Sequence, residues 1–364
     1  MNKKYKIGVL DGDYIGPEIT AEALKVLFAA GRKYGYQFEI EKLLASGEAF
    51  DKTGKHLPDE TIEKARQCDL LLKGPFGGPP EEINHPKWAG VEQNAILPLR
   101  KIFNFYANLR EAKIYEPLKS LSPLKESLID GVGILIVREL VSGIYFGEKG
   151  ESSSDGERRF YDIESYSESE ISRIAEVAFQ KARLRRNKVT LVAKSNVLKS
   201  SVLWREVTEE VRKNYSDVEF NYMHVDNAAM QLVMNPRQFD VILTSNMFGD
   251  ILSDEASVLS GSIGLFPSVS LNGTTFGLYE PIHGSAPSIA GQNIANPLSA
   301  ILCVPLMFEH SFGDVAAARE IESCIEAVLK DGWRTKDLLT SGGDESKLLG
   351  TVQMGDMIVK YIEK

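Results

Sequence analysis

Apolar positions along this chain follow two periods that take turns. Ile7 to Leu10, Leu70 to Leu72, Gly133 to Val137, Val189 to Ala193, Val218 to Val225 and Phe239 to Leu243 are short apolar runs. Runs of that length suit buried strands and are short for buried helices. Between them apolar residues recur at helical spacing, as at Ile19, Ala23, Val26, Leu27 and Ala30, which lays one apolar stripe along a helix. Pro17 fits the first turn of that helix, where its missing N–H costs nothing, and Gly35 marks its end. Ser167 with Glu170 reads as a capping box opening another helix. That helix runs out through the basic stretch Lys181 to Lys188, which reads as a solvated, dipole-matched helix end. Strands alternating with helices predict an α/β fold around a central, largely parallel mixed sheet. Gly147 to Asp162, rich in Gly, Ser and charge, interrupts the alternation. It fits a linker, a disordered loop or an oligomerisation arm.

The length of 364 residues leaves room for two or three domains, or for one large one. With 43% hydrophobic and 26% charged residues, the chain can bury a core without staples. The net charge of −9 argues against a general nucleic-acid surface, which needs a basic face. Cys68, Cys303 and Cys324 show no CxxC spacing and read as core thiols of a reducing compartment. The apolar run behind the basic first residues is short for a secretory signal. No stretch is long and apolar enough to predict a membrane span. The expectation is a cytoplasmic protein with no nucleic-acid or membrane partner.

The densest chemistry lies in Asn246 to Glu255, which follows an apolar run and opens a helix. Asp250 and Asp254 are four residues apart and share one face of it. Such a pair can hold Mg²⁺ or Mn²⁺ through oxygen ligands, or be acids on a solvated helix start. Asp226, at the end of a strand, is either a third ligand or an N-cap for a helix over 227–233. Arg100, Arg110 and Arg138 offer bidentate forks for carboxylates, or are ordinary surface arginines. Lys194 and Tyr145 are candidates for proton transfer. Glu280 to Gly291, running on to Asn296, is rich in small residues and lets backbone approach a flat or phosphorylated ligand, or is a plain Gly/Pro turn. No GxGxxG occurs, so the usual dinucleotide fingerprint is absent.

Taken together these segments resemble the isocitrate/isopropylmalate/tartrate class of β-decarboxylating dehydrogenases, and within it the 3-isopropylmalate dehydrogenases. The motifs that carry the likeness are Asn246–Glu255, Glu280–Gly291, Val137-Arg138-Glu139-Leu140, Gly143-Ile144-Tyr145-Phe146-Gly147, Leu99-Arg100-Lys101 and Asn108-Leu109-Arg110. It runs from about Ile7 to Gly355. The resemblance implies oxidative decarboxylation of 3-isopropylmalate to 4-methyl-2-oxopentanoate with NAD reduction, in leucine biosynthesis. It implies that Arg100, Arg110 and Arg138 clamp substrate carboxylates and that Asp226, Asp250 and Asp254 bind the metal. Tyr145 and Lys194 would be the acid–base pair, and Asp226 would lie against the substrate as well. The cofactor would lie on Ile15, Glu280, His283, Gly284, Ser285, Ala286, Pro287, Ser288, Ile289 and Asn296. The family is a homodimer with shared sites, so Lys194 and Asp226 would serve the partner's site and the 147–162 stretch would be the intersubunit arm. The implied architecture is a split first, cofactor-binding domain over 1–105 and 262–364, and a second domain over 106–261.

Substrate choice by this resemblance turns on Ile96, Leu97 and Val197, whose apolar side chains suit an isopropyl group and would leave a third carboxylate unpaired. Asn94 is the polar exception. Methylmalate, D-malate, tartrate and homoisocitrate are the alternative substrates, and a catalytically silent regulatory homologue is the alternative class. This chain also departs from the family at Asp11, where relatives have Pro, and at Tyr14, where they have Gly. An apparent insertion spans Pro80 to His85, and Ser288 replaces the aspartate of NAD-using relatives. No cation or aromatic stands beside Ser288 in sequence to receive a 2′-phosphate, so NAD remains the expected cofactor.

Overall fold

A computed structural model describes residues 3–340 and 342–364. Its strands are β1 (Lys4–Leu10), β2 (Gln37–Lys42), β3 (Leu70–Lys73), β4 (Ala107–Lys113), β5 (Gly133–Glu139), β6 (Lys149–Ser154), β7 (Glu157–Asp162), β8 (Lys188–Ala193), β9 (Glu219–His224), β10 (Val241–Thr244), β11 (Pro267–Leu271) and β12 (Gly277–Pro281). The helices are α1 (Gly16–Tyr34), α2 (Ser46–Thr53), α3 (Asp59–Ala65), α4 (Leu97–Ile102), α5 (Glu126–Ile129), α6 (Glu168–Arg183), α7 (Lys199–Arg212), α8 (Val225–Met234), α9 (Asn246–Ser257), α10 (Leu298–His310), α11 (Val315–Lys330) and α12 (Thr351–Ile362). The α/β class expected from the apolar runs is what folds. No helix among the described residues is long and apolar enough to cross a membrane.

The chain divides into two compact units, one of residues 1–103, 115–123 and 260–364, the other of 104–114 and 124–259. The first unit orders its strands β2-β1-β3-β12-β11. All of these neighbours are parallel except β11 with β12. Its core gathers Tyr36, Phe38, Phe308 and Phe312, whose rings lie 5.0–6.5 Å apart. Aromatic pairs at that spacing gain beyond the area they bury. Residues 115–123, which the sequence reading left in the second domain, belong here. Leu118 is buried and Arg334 Nη2 donates to the Pro117 carbonyl at 3.0 Å, holding that turn to this unit.

The second unit orders its strands β4-β5-β10-β8-β9, parallel except β4 with β5. Its register places Arg138 opposite Thr244, Thr244 opposite Val192, and Ala193 opposite His224. Four strands therefore end along one edge, and Arg138, Asn246, Lys194 and Asp226 all lie at it. In parallel α/β sheets this is the edge where functional groups collect. The capping box forms: Ser167 Oγ accepts from Glu170 N–H, and the Glu170 carboxylate accepts from Ser167 N–H at 2.8 Å. The basic stretch after α6 is more than a solvated end. Arg183 pairs with Asp217 at 2.6 Å, and Arg185 reaches buried Asp240 at 3.0 Å and also Glu111. Arg186 N–H also donates to Asp240 at 2.8 Å, so the buried carboxylate is paired with cation and backbone together. Residues 147–162 fold into a two-stranded antiparallel ribbon, β6 with β7.

Candidate functional site

The second unit gathers five of the expected residues. Arg138, 1% exposed, is fixed on three sides. Its Nε donates to the Asn246 carbonyl at 2.8 Å, one Nη to Asn246 Oδ1 at 2.8 Å and the other to Asp250 Oδ1 at 2.7 Å. Arg110, from β4, donates to Asn108 Oδ1 at 2.8 Å, Ser253 Oγ at 2.7 Å and Asp250 at 3.3 Å, and lies 3.6 Å from Asp254. Tyr145, on the 3₁₀ turn Gly143–Tyr145, donates its hydroxyl to Asp250 Oδ2 at 3.0 Å. The result is two carboxylates on one face of α9, two guanidiniums and a phenol in mutual contact. Partial burial pushes the Asp254 carboxyl up, Arg110 pulls it down, and the Asp250 charge pushes it up again. Gly249 makes the packing possible, because a Cβ there would sit 2.5 Å from Arg138 Cγ.

Lys194 and Asp226 stand apart from that cluster as a pair of their own, with Nζ 2.6 Å from Oδ1. The bond from Lys194 holds the Asp226 carboxyl below its usual range. Asp226 is not an N-cap: α8 begins a residue before it, and the capping position is His224. Tyr222 braces the segment, accepting from Ser195 N–H at 3.0 Å and donating to Ser195 Oγ at 2.8 Å. Among the described residues no three His, Cys, Asp or Glu side chains are close enough to hold a metal ion. One chain thus brings Asp250 and Asp254 together and leaves the third carboxylate elsewhere. Val197 is 68% exposed.

In the first unit the buried Glu280 carboxylate pairs with Lys73 at 2.7 Å and with Arg100 at 3.3 Å. Arg100 Nε is enclosed with no partner. Arg100 sits on α4, which a π-type turn over Glu92–Ile96 leads into. Ile96 is buried and Leu97 half-buried. The loop after β12 is braced by its own groups. Ser285 Oγ donates to the Gly77 carbonyl at 2.7 Å, Ile15 N–H to the Ser285 carbonyl at 3.1 Å, and Gly291 N–H to the Glu18 carboxylate. Ala286 takes a left-handed φ of 43°, and Pro287–Ile289 forms a 3₁₀ turn. The Ser288 carbonyl accepts from Gln292 at 2.8 Å, with Gly284 and Ser288 exposed. Asn296 is committed to Leu298 N–H at 3.0 Å and Asp337 at 2.9 Å. His283 uses Nδ1 on the Gly284 carbonyl at 3.0 Å, while Nε2 is enclosed without a partner. Burial holds that imidazole below its usual range, so it is neutral at pH 7.

Asn246, Asn108, Ser253 and Lys73 were not singled out from sequence. Each orients a charged site residue, and each is polar and buried. A polar residue inside an apolar-patterned segment is the signal that marks them. Asp13 is a further one: buried beside the expected Ile15, it accepts from Ser46 Oγ at 2.5 Å, Gly77 N–H at 2.9 Å and Gly47 N–H at 3.1 Å. The departures also find places. Tyr14 adopts φ 51°, a conformation glycine takes without strain, and its ring lies 5.6 Å from that of Trp88. Asp11 pairs with Lys42 at 2.6 Å. Glu82, in the stretch read from sequence as an insertion, accepts from Trp88 Nε1 at 2.9 Å.

The fold and these clusters define an α/β protein with hard oxygen donors and arginine forks at strand ends, suited to small anionic ligands. The chain belongs to the isocitrate/isopropylmalate dehydrogenase family, whose sequence model matches residues 6–358. It is 52% identical to the 3-isopropylmalate dehydrogenase of Clostridium acetobutylicum, over 98% of this chain and 99% of the relative. It is 52% identical to that of Carboxydothermus hydrogenoformans, over 98% and 95%. A crystal structure of isocitrate dehydrogenase from Methylococcus capsulatus superposes with a TM-score of 0.86 at 36% identity, covering 99% of this chain and all of that one.

Proposed function

We propose that this chain oxidises and decarboxylates 3-isopropylmalate to 4-methyl-2-oxopentanoate, with NAD as oxidant and Mg²⁺ or Mn²⁺ as metal, in cytoplasmic leucine biosynthesis. Near-full-length identity to 3-isopropylmalate dehydrogenases supports the substrate. The observation that carries the chemistry is the contact of Arg110, Arg138 and Tyr145 with Asp250 and Asp254.

The residues fit the groups this reaction needs. Asp250 and Asp254 offer only hard oxygens, which suit Mg²⁺ or Mn²⁺ over softer ions. Asp226 of a second copy supplies the third carboxylate. The loop Gly284 to Asn296 exposes backbone and small side chains, Gly284 and Ser288 among them, to NAD. Glu18 on Gly291 places negative charge at the loop, which opposes a 2′-phosphate and favours NAD although Ser288 replaces an acid. When bound, the metal supplies Lewis-acid polarisation of the 2-hydroxyl and its carboxylate, and NAD supplies the hydride acceptor.

The chain's own groups do the rest. Arg110 and Arg138 hold a substrate carboxylate with the forks they now turn to Asp250 and Ser253. Lys194 takes the hydroxyl proton, with Asp226 fixing its amine. Tyr145 returns a proton to the carbon that loses carbon dioxide. Ile96 and Leu97 receive the isopropyl group; each buried methylene contributes about 0.8 kcal/mol.

Two copies share sites in this reading. Met230, Val233 and Met234 on α8, Ile251 on α9 and Val258 just after it leave apolar side chains about half exposed or more on two helices packed together. Exposed apolar side chains gathered on neighbouring helices support a protein interface there. Phe160, Tyr161 and Ile163 in and after the ribbon are exposed apolar residues of the arm.

The test is NADH formation with 3-isopropylmalate beside isocitrate, D-malate and methylmalate, with NAD and NADP, and with the metal removed by chelation. Metal-dependent turnover greatest with 3-isopropylmalate and NAD is expected. Equal kcat/KM with NADP overturns the cofactor reading, and preference for another diacid overturns the pocket.

A further inference from the structure

Arg138 and Tyr145 are seven residues apart and both meet Asp250, so the turn between them sets both at once. That turn is gripped by a side chain with no role in the chemistry above. Glu139 is fully buried, and its two carboxylate oxygens accept from Val141 N–H at 3.0 Å and Ser142 N–H at 2.9 Å. The Ser142 carbonyl accepts from Asn246 Nδ2 at 3.0 Å, and Asn246 in turn accepts from Arg138 through both its carbonyl and its Oδ1. Ser142 Oγ donates to Glu170, and Gly143 N–H donates to the Ser165 carbonyl at 3.1 Å. Gly143 has φ 75°, and a Cβ there would strike the Tyr166 hydroxyl, which itself accepts from Asn246 N–H at 3.0 Å. Arg173 lies near Glu139, with its Nη2 3.8 Å away and its Nε enclosed without a partner. A buried carboxylate that spends both oxygens on two consecutive backbone N–H groups fixes that backbone more firmly than a neutral side chain does.

We propose that Glu139 is a positioning residue: by clamping Val141 and Ser142 it sets Asn246, and through it the Arg138 fork, and holds Tyr145 on the same turn. This rests on the diacid reading, because it takes Arg138 and Tyr145 as the groups that meet substrate.

The test compares the parent with Glu139→Ala and Glu139→Gln in steady-state kinetics with 3-isopropylmalate, NAD and Mn²⁺, and in crystal structures of all three. In Glu139→Ala the KM for 3-isopropylmalate should rise about tenfold and kcat should fall severalfold. Its Arg138 guanidinium should be displaced from the Asn246 carbonyl. Glu139→Gln, whose amide oxygen still accepts one N–H, should fall between. A role in stability alone would lower the active fraction, and so apparent kcat, with KM unchanged and Arg138 in place; that result overturns the proposal. If Glu139→Ala does not fold, Glu139→Gln decides: parental KM and an unmoved Arg138 overturn it. If the parent is silent with 3-isopropylmalate, the function reading fails, and the position of Arg138 in the crystals alone decides the role of Glu139.

Discussion

Glu139 shows how one buried acid trades stability for geometry. Burial pushes its carboxyl up to about 7, against the pull of the Val141 and Ser142 N–H groups and of Arg173. Glu170 on α6 adds to the upward push, and Tyr166, just before that helix, also faces it. The folded form therefore holds its proton more tightly than the unfolded chain, whose Glu titrates near about 4.3. Between those values the native state binds more protons, so stability falls as pH rises. The stabilising contribution is whole below the unfolded value and is lost as pH climbs through about 7. Glu139→Gln carries no such proton. Urea unfolding at pH 5 and pH 8 should show the parent losing about 3 kcal/mol relative to Glu139→Gln across that window. A parallel pH course for the two proteins would show that Glu139 is ionised throughout in the fold.

At the scale of elements, α9 and β5 form the working contact, and its tolerance is set by Gly249. Gly249→Ala would place a methyl against the Arg138 side chain, which is itself buried and triply bonded. Overpacking of this kind costs about 1–3 kcal/mol, so thermal unfolding should move down and KM for the diacid should rise in the folded protein. Unchanged KM would mean that β5 yields and Arg138 does not. This contact also marks how far the sequence could be read. The period of α9, the apolar run before it and the four-residue spacing of Asp250 and Asp254 are local, so helix and acid pair were legible together. So were Ser167 with Glu170 and the strand that ends at Arg138. What joins them is not local: Asn246 meets Arg138 across 108 residues and Tyr145 meets Asp250 across 105. Those meetings depend on β5 lying beside β10 in one register, and apolar runs buried on both faces carry little register information. The inward turn of Arg185 depends likewise on Asp240, fifty-five residues away. Asp226 was misplaced as a possible cap because α8 starts at Val225 and not at 227, a two-residue matter that pattern does not resolve.

At the scale of the molecule, the two halves of the chemistry lie on one unit without meeting. Tyr145 joins Asp250, whereas Lys194 Nζ joins Asp226, and among the described residues no third carboxylate completes the acid pair. In the proposed reading a single chain then holds a proton donor without its base and two metal ligands without the third. Either the reaction needs less than its relatives' residues imply, or a second copy brings Lys194 and Asp226 to the first copy's Tyr145. The exposed apolar side chains of α8 and α9 favour the second, since Asp226 and Asp254 are carried by those same two helices. Complementation separates the two. Tyr145→Phe and Lys194→Ala should each be nearly inactive as homodimers. In a mixed dimer of the two, one site combines both lesions and the other combines an intact Tyr145 with an intact Lys194. Unfolding and refolding them together in equal amounts makes half the dimers mixed, with one good site in each, so activity should return to about a quarter of the parent. If every site were built within one chain, each site in the mixture would carry one lesion and activity would stay at the level of the single variants.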